Sequence, residues 1–277
     1  MNILIFVFIF LLGTIIGSFL NVVIYRFNTG KTIVKGRSIC MTCNRNLRWY
    51  ELIPVFSFLI QMGKCRRCKE VISHQYIIVE IITGLIFVLI AQHFSPIFLF
   101  SLPSYLLLVI FFFFLFSFLI VISVYDFRHK IIPDKIAYIY AFVAFLSIFI
   151  NHFGIGPLFV LPSFSSLIAG PVLALPFALL WLVSRGKWMG LGDAKLMLGI
   201  GWMLGLLSGL ASIMLAFWMG AIVGITIMIL SHSLLHRKLG KINFKTEIPF
   251  APFLIASALI VFLFNIDIIT LSSLFSI

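Results

Sequence analysis

The sequence predicts an all-α, polytopic membrane protein with about eight transmembrane helices. Hydrophobic residues make up 62% of the 277 residues, charged residues make up only 10%, and the mean hydropathy is +1.22. Because a soluble domain devotes about a quarter of its residues to charge, this composition excludes the soluble globular, disordered and disulfide-scaffold classes. The number of helices is predicted from a series of eight apolar runs that are separated by polar connections.

The apolar runs define the predicted spans in order. They are Ile3–Tyr25, Tyr76–His93, Ser104–Tyr125, Ile136–Asn151, Phe164–Val183, Ala194–Leu207, Ser208–Leu230 and Ile248–Asn265. A long polar segment, residues 26–75, separates the first two spans, so we expect an N-terminal region at residues 1–93 and a second region at residues 104–265. Gly201, Gly205 and Gly209 are four residues apart, a spacing that predicts close packing of the sixth and seventh spans.

The basic residues predict how the spans are oriented. No basic residue precedes the first span and Arg26 follows it, which argues against a cleaved signal peptide and favours an N-terminus outside. Four of the connections then face the cytoplasm, and all 20 Lys and Arg residues lie in these connections or directly beside them. Membrane orientation therefore explains the net charge of +12, and no nucleic-acid partner is expected.

All four cysteines lie in the polar segment after the first span. Cys40 and Cys43 form one CxxC pair, and Cys65 and Cys68 form a second pair 21 residues later. Four thiolates at this spacing are typical of a closed, structural Zn²⁺ site. Two disulfides and a redox dithiol pair are the alternatives, although the basic flanking residues place the segment in a reducing compartment.

The eight acidic residues are few enough to consider individually. Five have simple structural interpretations: Glu51, Glu70 and Glu247 as solvated partners of basic residues, Asp134 as a helix N-cap, and Asp267 at the outer interface. Glu80 lies one turn inside the second span, where a carboxylate indicates function, a buried partner, or a side chain that reaches back to the interface.

Asp126 and Asp193 form the candidate catalytic pair. Asp126 ends the third span and Asp193 opens the sixth, so the predicted topology places both at the cytoplasmic membrane boundary. Two close carboxyl groups share one proton. The ionised group can then accept a proton from water while the protonated group polarises a peptide carbonyl. This is aspartyl-protease chemistry and needs no metal. Gly190 and Gly192 would let the backbone come close to a substrate or a neighbouring helix. The structural alternative is that Asp193 caps a helix and that Asp126 is an ordinary charge flanking a span.

Six blocks in order make the chain resemble the bacterial type 4 prepilin peptidases, which are GxGD-type aspartyl proteases. The blocks are Gly17-Ser-Phe-Leu-Asn-Val-Val-Ile-Tyr-Arg26, the CxxC segment enclosing Glu51-Leu-Ile-Pro54, Ile72 through Gly84, Asp126 through Asp134, Gly190-Leu-Gly-Asp-Ala-Lys-Leu196, and Pro249-Phe-Ala-Pro-Phe253. The similarity extends over nearly the whole chain.

The resemblance implies a multi-pass enzyme of the bacterial cytoplasmic membrane. It would cut basic leaders from prepilins or pseudopilins on the cytoplasmic side, with Asp126 and Asp193 as catalytic residues. Many family members with the tetracysteine segment also N-methylate the new N-terminus with S-adenosylmethionine, although no residues of this chain indicate a site for that cofactor. The alternatives are a proton-coupled transporter that uses the boundary carboxylates, and a non-enzymatic, zinc-stabilised scaffold.

Overall fold

The computed structural model describes residues 3–30, 32–33, 36–151, 157–233 and 249–273. Within these residues the all-α prediction is confirmed, since they contain helices and three isolated bridges but no extended strand. The helices are α1 (Ile3–Arg26), α2 (Phe56–Ile60), α3 (Gln75–His93), α4 (Ser95–Phe98), α5 (Leu102–His129), α6 (Asp134–Ser147), α7 (Phe164–Ser184), α8 (Leu191–Leu204), α9 (Leu206–Ser233), α10 (Ala251–Phe264) and α11 (Ile268–Ser273).

Each predicted span coincides with a helix, but the helices differ in length. Five of the described helices, α1, α3, α5, α7 and α9, are long and apolar enough to cross a membrane. The other three, α6, α8 and α10, have 14 residues each, or about 21 Å, which is short for a hydrocarbon core of about 30 Å. Five helices thus have the length and composition of membrane spans, and the full set of eight spans stays a prediction.

Some of the predicted features lie outside the described residues. They are the basic residues Lys31, Lys35, Arg237, Lys238, Lys241 and Lys245, the acidic residue Glu247, and Ile248 at the start of the eighth predicted span.

The chain forms two compact units, Met1–Val121 and Ile122–Ile277. In the first unit, α1 packs directly on α3 because both helices carry glycine at the contact. A Cβ atom at Gly13 would lie 2.7 Å from Cα of Gly84, and one at Gly17 would lie 2.8 Å from Cα of Glu80. The rings of Phe87 and Phe113 stack with centroids 3.9 Å apart, which joins α3 to the first part of α5.

Helix α8 lies at the centre of the second unit, where it contacts α6, α7, α9 and α10. A Cβ atom at Gly201 would lie 2.8 Å from Cα of Gly170 on α7, and one at Gly209 would collide with Leu173 on α7. The expected contact between the sixth and seventh spans is present, since α8 contacts α9, but the closest neighbour of Gly201 and Gly209 is α7. The sequence spacing marks a close approach, but it does not show which neighbour makes it, and here the neighbour is α7.

Candidate functional site

Asp126 lies in the last turn of α5, and its side chain is buried, with the residue 5% exposed. The helix ends three residues later, where Lys130 has a positive φ of 54° and its N–H donates to the carbonyl of Asp126 over 2.7 Å. The backbone N–H of Ala251, at the start of α10, lies close to the Asp126 carboxyl group. The ends of two helices therefore surround this carboxyl group.

Asp193 lies in the first turn of α8 and is 8% exposed. Gly190 is the N-cap, with an extended backbone (φ −74°, ψ 149°), and its N–H lies close to the Asp193 carboxyl group. A carboxylate in this position is stabilised by the unpaired N–H groups and the positive end of the helix dipole.

The structure brings Asp126 and Asp193 together within the second unit. The two carboxyl groups are close enough for the charge of Asp126 to act directly on Asp193. The chain between α5 and α6 supports this arrangement, because Ile132 packs against the backbone of Gly192: a Cβ atom there would lie 2.7 Å from Cβ of Ile132. The site is thus a pair of buried acids, each at a helix end, whose relative position depends on a glycine contact.

Asp134 has a different role from the one predicted. The N-cap of α6 is Pro133, so the prediction that Asp134 caps the helix is wrong. Proline fixes its own backbone near φ −65°, and this places Asp134 inside the first turn. There its Oδ1 atom binds Nζ of Lys195 over 2.7 Å, which links the start of α6 to α8 two residues beyond Asp193.

The four cysteines form a single cluster. Their sulfur atoms all lie within 4.8 Å of one another, and those of Cys40 and Cys68 are 3.8 Å apart. A tetrahedral Zn²⁺ site with Zn–S bonds of about 2.3 Å places its sulfurs about 3.8 Å apart. The predicted ligand set can therefore hold a metal ion.

Two equivalent hairpins present these cysteines, and the second repeats the first 25 residues later. In the first hairpin, the N–H of Cys40 donates to the carbonyl of Arg45, and the N–H of Leu47 donates to the carbonyl of Ser38. The second hairpin has the same two bonds: the N–H of Cys65 donates to the carbonyl of Glu70, and the N–H of Ile72 donates to the carbonyl of Gly63. Asn44 and Lys69, each directly after a second cysteine, both adopt a positive φ. This repeat was not predicted from the sequence. The matching CxxC spacing is its signal, since the two hairpins share only their cysteines.

The hairpin backbone favours thiolates. The backbone N–H groups of Cys68 and Arg67 lower the pKa of the Cys65 thiol to about 6, and the N–H of Cys43 lowers the pKa of Cys40. At Cys68 the N–H of Glu70 also favours the thiolate, but burial and the neighbouring thiols together raise its pKa to about 11. A cluster of four sulfurs without a counter-ion therefore retains protons, which a divalent cation would displace.

Glu51 pairs with a basic residue as predicted, but it is buried, so the prediction that it is solvated is wrong. Its Oε1 atom binds the Arg45 guanidinium over 2.6 Å, and its Oε2 atom accepts the backbone N–H of Arg48 over 2.9 Å. Burial opposes ionisation, but these two donors outweigh it and lower the pKa of Glu51. The residue therefore ties the first cysteine hairpin to the 3-10 turn Trp49–Glu51.

Glu80 is also buried, at 6% exposed, and its side chain does not reach back to the interface. Its Oε2 atom accepts the backbone N–H of Val55 over 2.7 Å. Val55 forms a γ-turn, with φ 60° and ψ −56° and a bond from the Phe56 N–H to the Pro54 carbonyl, and this is a strained conformation for a β-branched residue. Of the readings open for Glu80, the structure thus supports a buried partner.

Comparisons with known proteins match both parts of the chain to the same family. The model described as Bacterial Peptidase A24 N-terminal domain matches residues 11–94, and the model described as Type IV leader peptidase family matches residues 113–225. No solved structure matches the chain.

Three similar proteins carry the name prepilin leader peptidase/N-methyltransferase. The Myxococcus xanthus protein is 32% identical over 80% of this chain and 63% of its own length. The Bacillus subtilis protein is 29% identical over 95% of both chains, and the Vibrio cholerae protein is 32% identical over 70% of this chain and 76% of its own length. These names favour neither the transporter nor the scaffold alternative. From the glycine-flanked acid pair, the paired cysteine hairpins and these matches, we conclude that the chain belongs to the type IV leader peptidase family.

Proposed function

We propose that this chain is a membrane aspartyl endopeptidase that removes the basic leader from type IV prepilins and pseudopilins. The observation that carries the proposal is the pairing of Asp126 and Asp193, two buried carboxyl groups within electrostatic reach of each other. The names of the relatives supply the substrate class.

The proposed reaction uses one proton shared between the two acids. The ionised carboxylate removes a proton from water, and the resulting hydroxide oxygen forms a bond to the carbonyl carbon of the scissile peptide. The protonated carboxyl group donates a hydrogen bond to the carbonyl oxygen as negative charge develops there. The peptide C–N bond then breaks, and the leaving nitrogen takes up the proton that water gave to the base.

The proposed location is the cytoplasmic membrane, with the N-terminus outside and the acid pair on the cytoplasmic side. The distribution of all 20 basic residues supports this orientation. A basic leader is itself retained on the cytoplasmic side by the same rule, so substrate and site would meet at the same membrane face.

The catalytic proposal is tested by Asp126→Asn and Asp193→Asn in the purified full-length protein. Each substitution keeps the shape of the side chain but removes the acid–base function, so leader cleavage measured by product mass should fall at least about 10³-fold. Asp134→Asn is the matched control, because Asp134 lies nearby but binds Lys195; it should retain cleavage within about twofold. Normal cleavage by either catalytic variant would exclude the dyad.

We further propose that Cys40, Cys43, Cys65 and Cys68 hold a structural Zn²⁺ ion. The sulfur spacing and the two thiolate-favouring hairpins fit a closed four-sulfur site. Elemental analysis should find about one zinc per chain, and the double variant Cys40→Ser/Cys43→Ser should lose it, whereas Met41→Ala between them should not. Zinc-free protein with wild-type stability would contradict a structural role.

A second proposed activity is methylation of the new N-terminal amine. S-adenosylmethionine would supply the methyl group: the amine lone pair forms the N–C bond, the S–C bond breaks with its electron pair left on sulfur, and the methylated ammonium releases a proton. Incubation with a prepilin and the cofactor should give a mature product that is one methyl group heavier. A cleaved product without the added methyl group would restrict the enzyme to hydrolysis.

A further inference from the structure

A cavity of about 940 Å³ lies within the first unit, bounded by the cytoplasmic part of α1, the start of α3, α2 and the cysteine-containing segment. Pockets for small molecules and cofactors have volumes of about 300–1,000 Å³, so this cavity is large enough for a cofactor of nucleoside size. None of its lining residues belongs to the acid pair.

Asn21 supplies an unsatisfied hydrogen-bond acceptor on the cavity wall. The residue is 0% exposed, and its Nδ2 atom donates to the carbonyls of Tyr76 (3.1 Å) and Gly17 (3.3 Å). Two carbonyl partners require the amide nitrogen on that side, so Oδ1 points the other way, and it has no partner in the described part of the chain. Buried acceptors are rarely left unpaired because the loss of their hydrogen bonds to water is costly. The position therefore calls for a donor from a ligand.

Glu80 supplies a buried carboxyl group on the same wall. Among the described residues it makes no ion pair with a lysine or arginine. It accepts the Val55 N–H, and the Ser18 hydroxyl lies beside it. A buried carboxylate without a cationic partner favours a ligand that brings hydroxyl or ammonium donors or a positive charge.

Tyr25 and Tyr76 add an aromatic surface. Their rings stack with centroids 5.0 Å apart and an interplanar angle of 9°, and both residues line the cavity. Aromatic side chains bind planar bases by stacking and bind cations through their ring faces. The cavity thus combines an acceptor, a carboxylate and an aromatic wall.

We propose that this cavity is the binding site for S-adenosylmethionine. The cofactor matches each feature: its base is planar and carries an amine donor, its ribose carries two hydroxyl donors, and its sulfonium and ammonium groups are cationic. The proposal rests on the proposed methylation activity and adds the residues that hold the cofactor, namely Glu80, Asn21 and the tyrosine pair.

The test measures binding of radiolabelled S-adenosylmethionine to the purified full-length protein, separately from cleavage. Glu80→Gln and Asn21→Leu should each weaken binding at least about tenfold. Ser57→Phe fills the cavity from α2 without changing either residue, and it should also weaken binding. Asp267→Asn, the same carboxylate-to-amide change at a helix cap in the second unit, should bind like the wild type. Leader cleavage within about twofold of wild type shows that each variant is folded.

Ultraviolet cross-linking of the labelled cofactor should modify the peptide that contains Tyr25 or Tyr76. Wild-type affinity in both Glu80→Gln and Ser57→Phe would overturn the assignment. The assignment would also be overturned if these variants lost affinity for a mature pilin peptide but kept their affinity for the cofactor, because the cavity would then hold the substrate amine. A wild-type protein that cleaves prepilin without binding the cofactor would overturn both this inference and the methylation proposal, but it would leave the peptidase proposal intact.

Discussion

The two glycines beside Asp193 should respond very differently to alanine. A Cβ atom at Gly192 would lie 2.7 Å from Cβ of Ile132, with two more Ile132 atoms within 3.2 Å. Carbon atoms in contact lie about 3.5–4.0 Å apart, so Gly192→Ala must displace the start of α8 from the α5–α6 connection by about 1 Å. At Gly190 the nearest atom to a new Cβ is 3.9 Å away, which is an ordinary contact.

The displacement acts on the distance between the two acids. Asp193 directly follows Gly192, and the connection that contains Ile132 starts a few residues after Asp126. A misplacement of about 1 Å between reacting groups can reduce the rate about 100-fold. Overpacking costs only about 1–3 kcal/mol of stability, so the variant should fold. Gly190→Ala gives up a preferred N-cap residue at a cost of about 1 kcal/mol, but it should keep its cleavage rate within about threefold.

Single-turnover cleavage of a purified prepilin, followed by product mass, distinguishes the two variants. Zinc content and thermal unfolding of each variant establish that the protein is intact. If Gly192→Ala cleaves as fast as Gly190→Ala while both are folded, the steric account of the acid pair is wrong.

Three other substitutions test single contacts. Glu51→Gln weakens the bonds to Arg45 and the Arg48 N–H, so a chelator should remove zinc at least about tenfold faster. Because folding lowers the pKa of Glu51, the contribution of its carboxylate is present above about pH 4 and is lost as the pH falls below the ordinary glutamate range. The difference in zinc loss between variant and wild type should therefore shrink in acid. Val55→Gly relieves the strained γ-turn but keeps the N–H bond to Glu80, so the free energy of unfolding should rise by up to about 1 kcal/mol. A lower midpoint of thermal unfolding would argue against strain at this residue. Lys195→Met breaks an ion pair whose carboxylate is 65% exposed, so stability should change by less than about 1 kcal/mol in thermal unfolding, and a larger loss would show that the pair has a role beyond its charge.

The sequence was sufficient for features that depend on composition and spacing. The apolar runs located the helices to within a few residues, because a span must satisfy its backbone internally and has a fixed minimum length. The CxxC pairs identified a cluster whose four sulfurs do converge. The positions of Asp126 and Asp193 at span ends led to the expectation that they could meet, and the structure places the charge of Asp126 within reach of Asp193.

Features that depend on three-dimensional neighbours were not predictable in the same way. Glu51 reads as solvated in a basic segment, but a guanidinium from the first cysteine hairpin buries it. Asn21 is one polar residue in an apolar span, and only the structure shows that its amide nitrogen bonds Tyr76 while its oxygen has no partner in the described part of the chain. The spacing of Gly201 and Gly209 indicates a close approach, but its closest partner is α7.

The residues assigned to the two proposed activities lie in different compact units of the chain. Every residue assigned to cofactor binding and to zinc lies within Met1–Val121, and every residue assigned to hydrolysis lies within Ile122–Ile277. Substitutions at sites that share no partner residues combine additively. If the two sites are separate chemical centres, the double variant Glu80→Gln/Gly192→Ala should therefore show the cofactor affinity of the first single variant and the cleavage rate of the second. A cleavage rate well below that of Gly192→Ala alone would mean instead that the first unit contributes to hydrolysis.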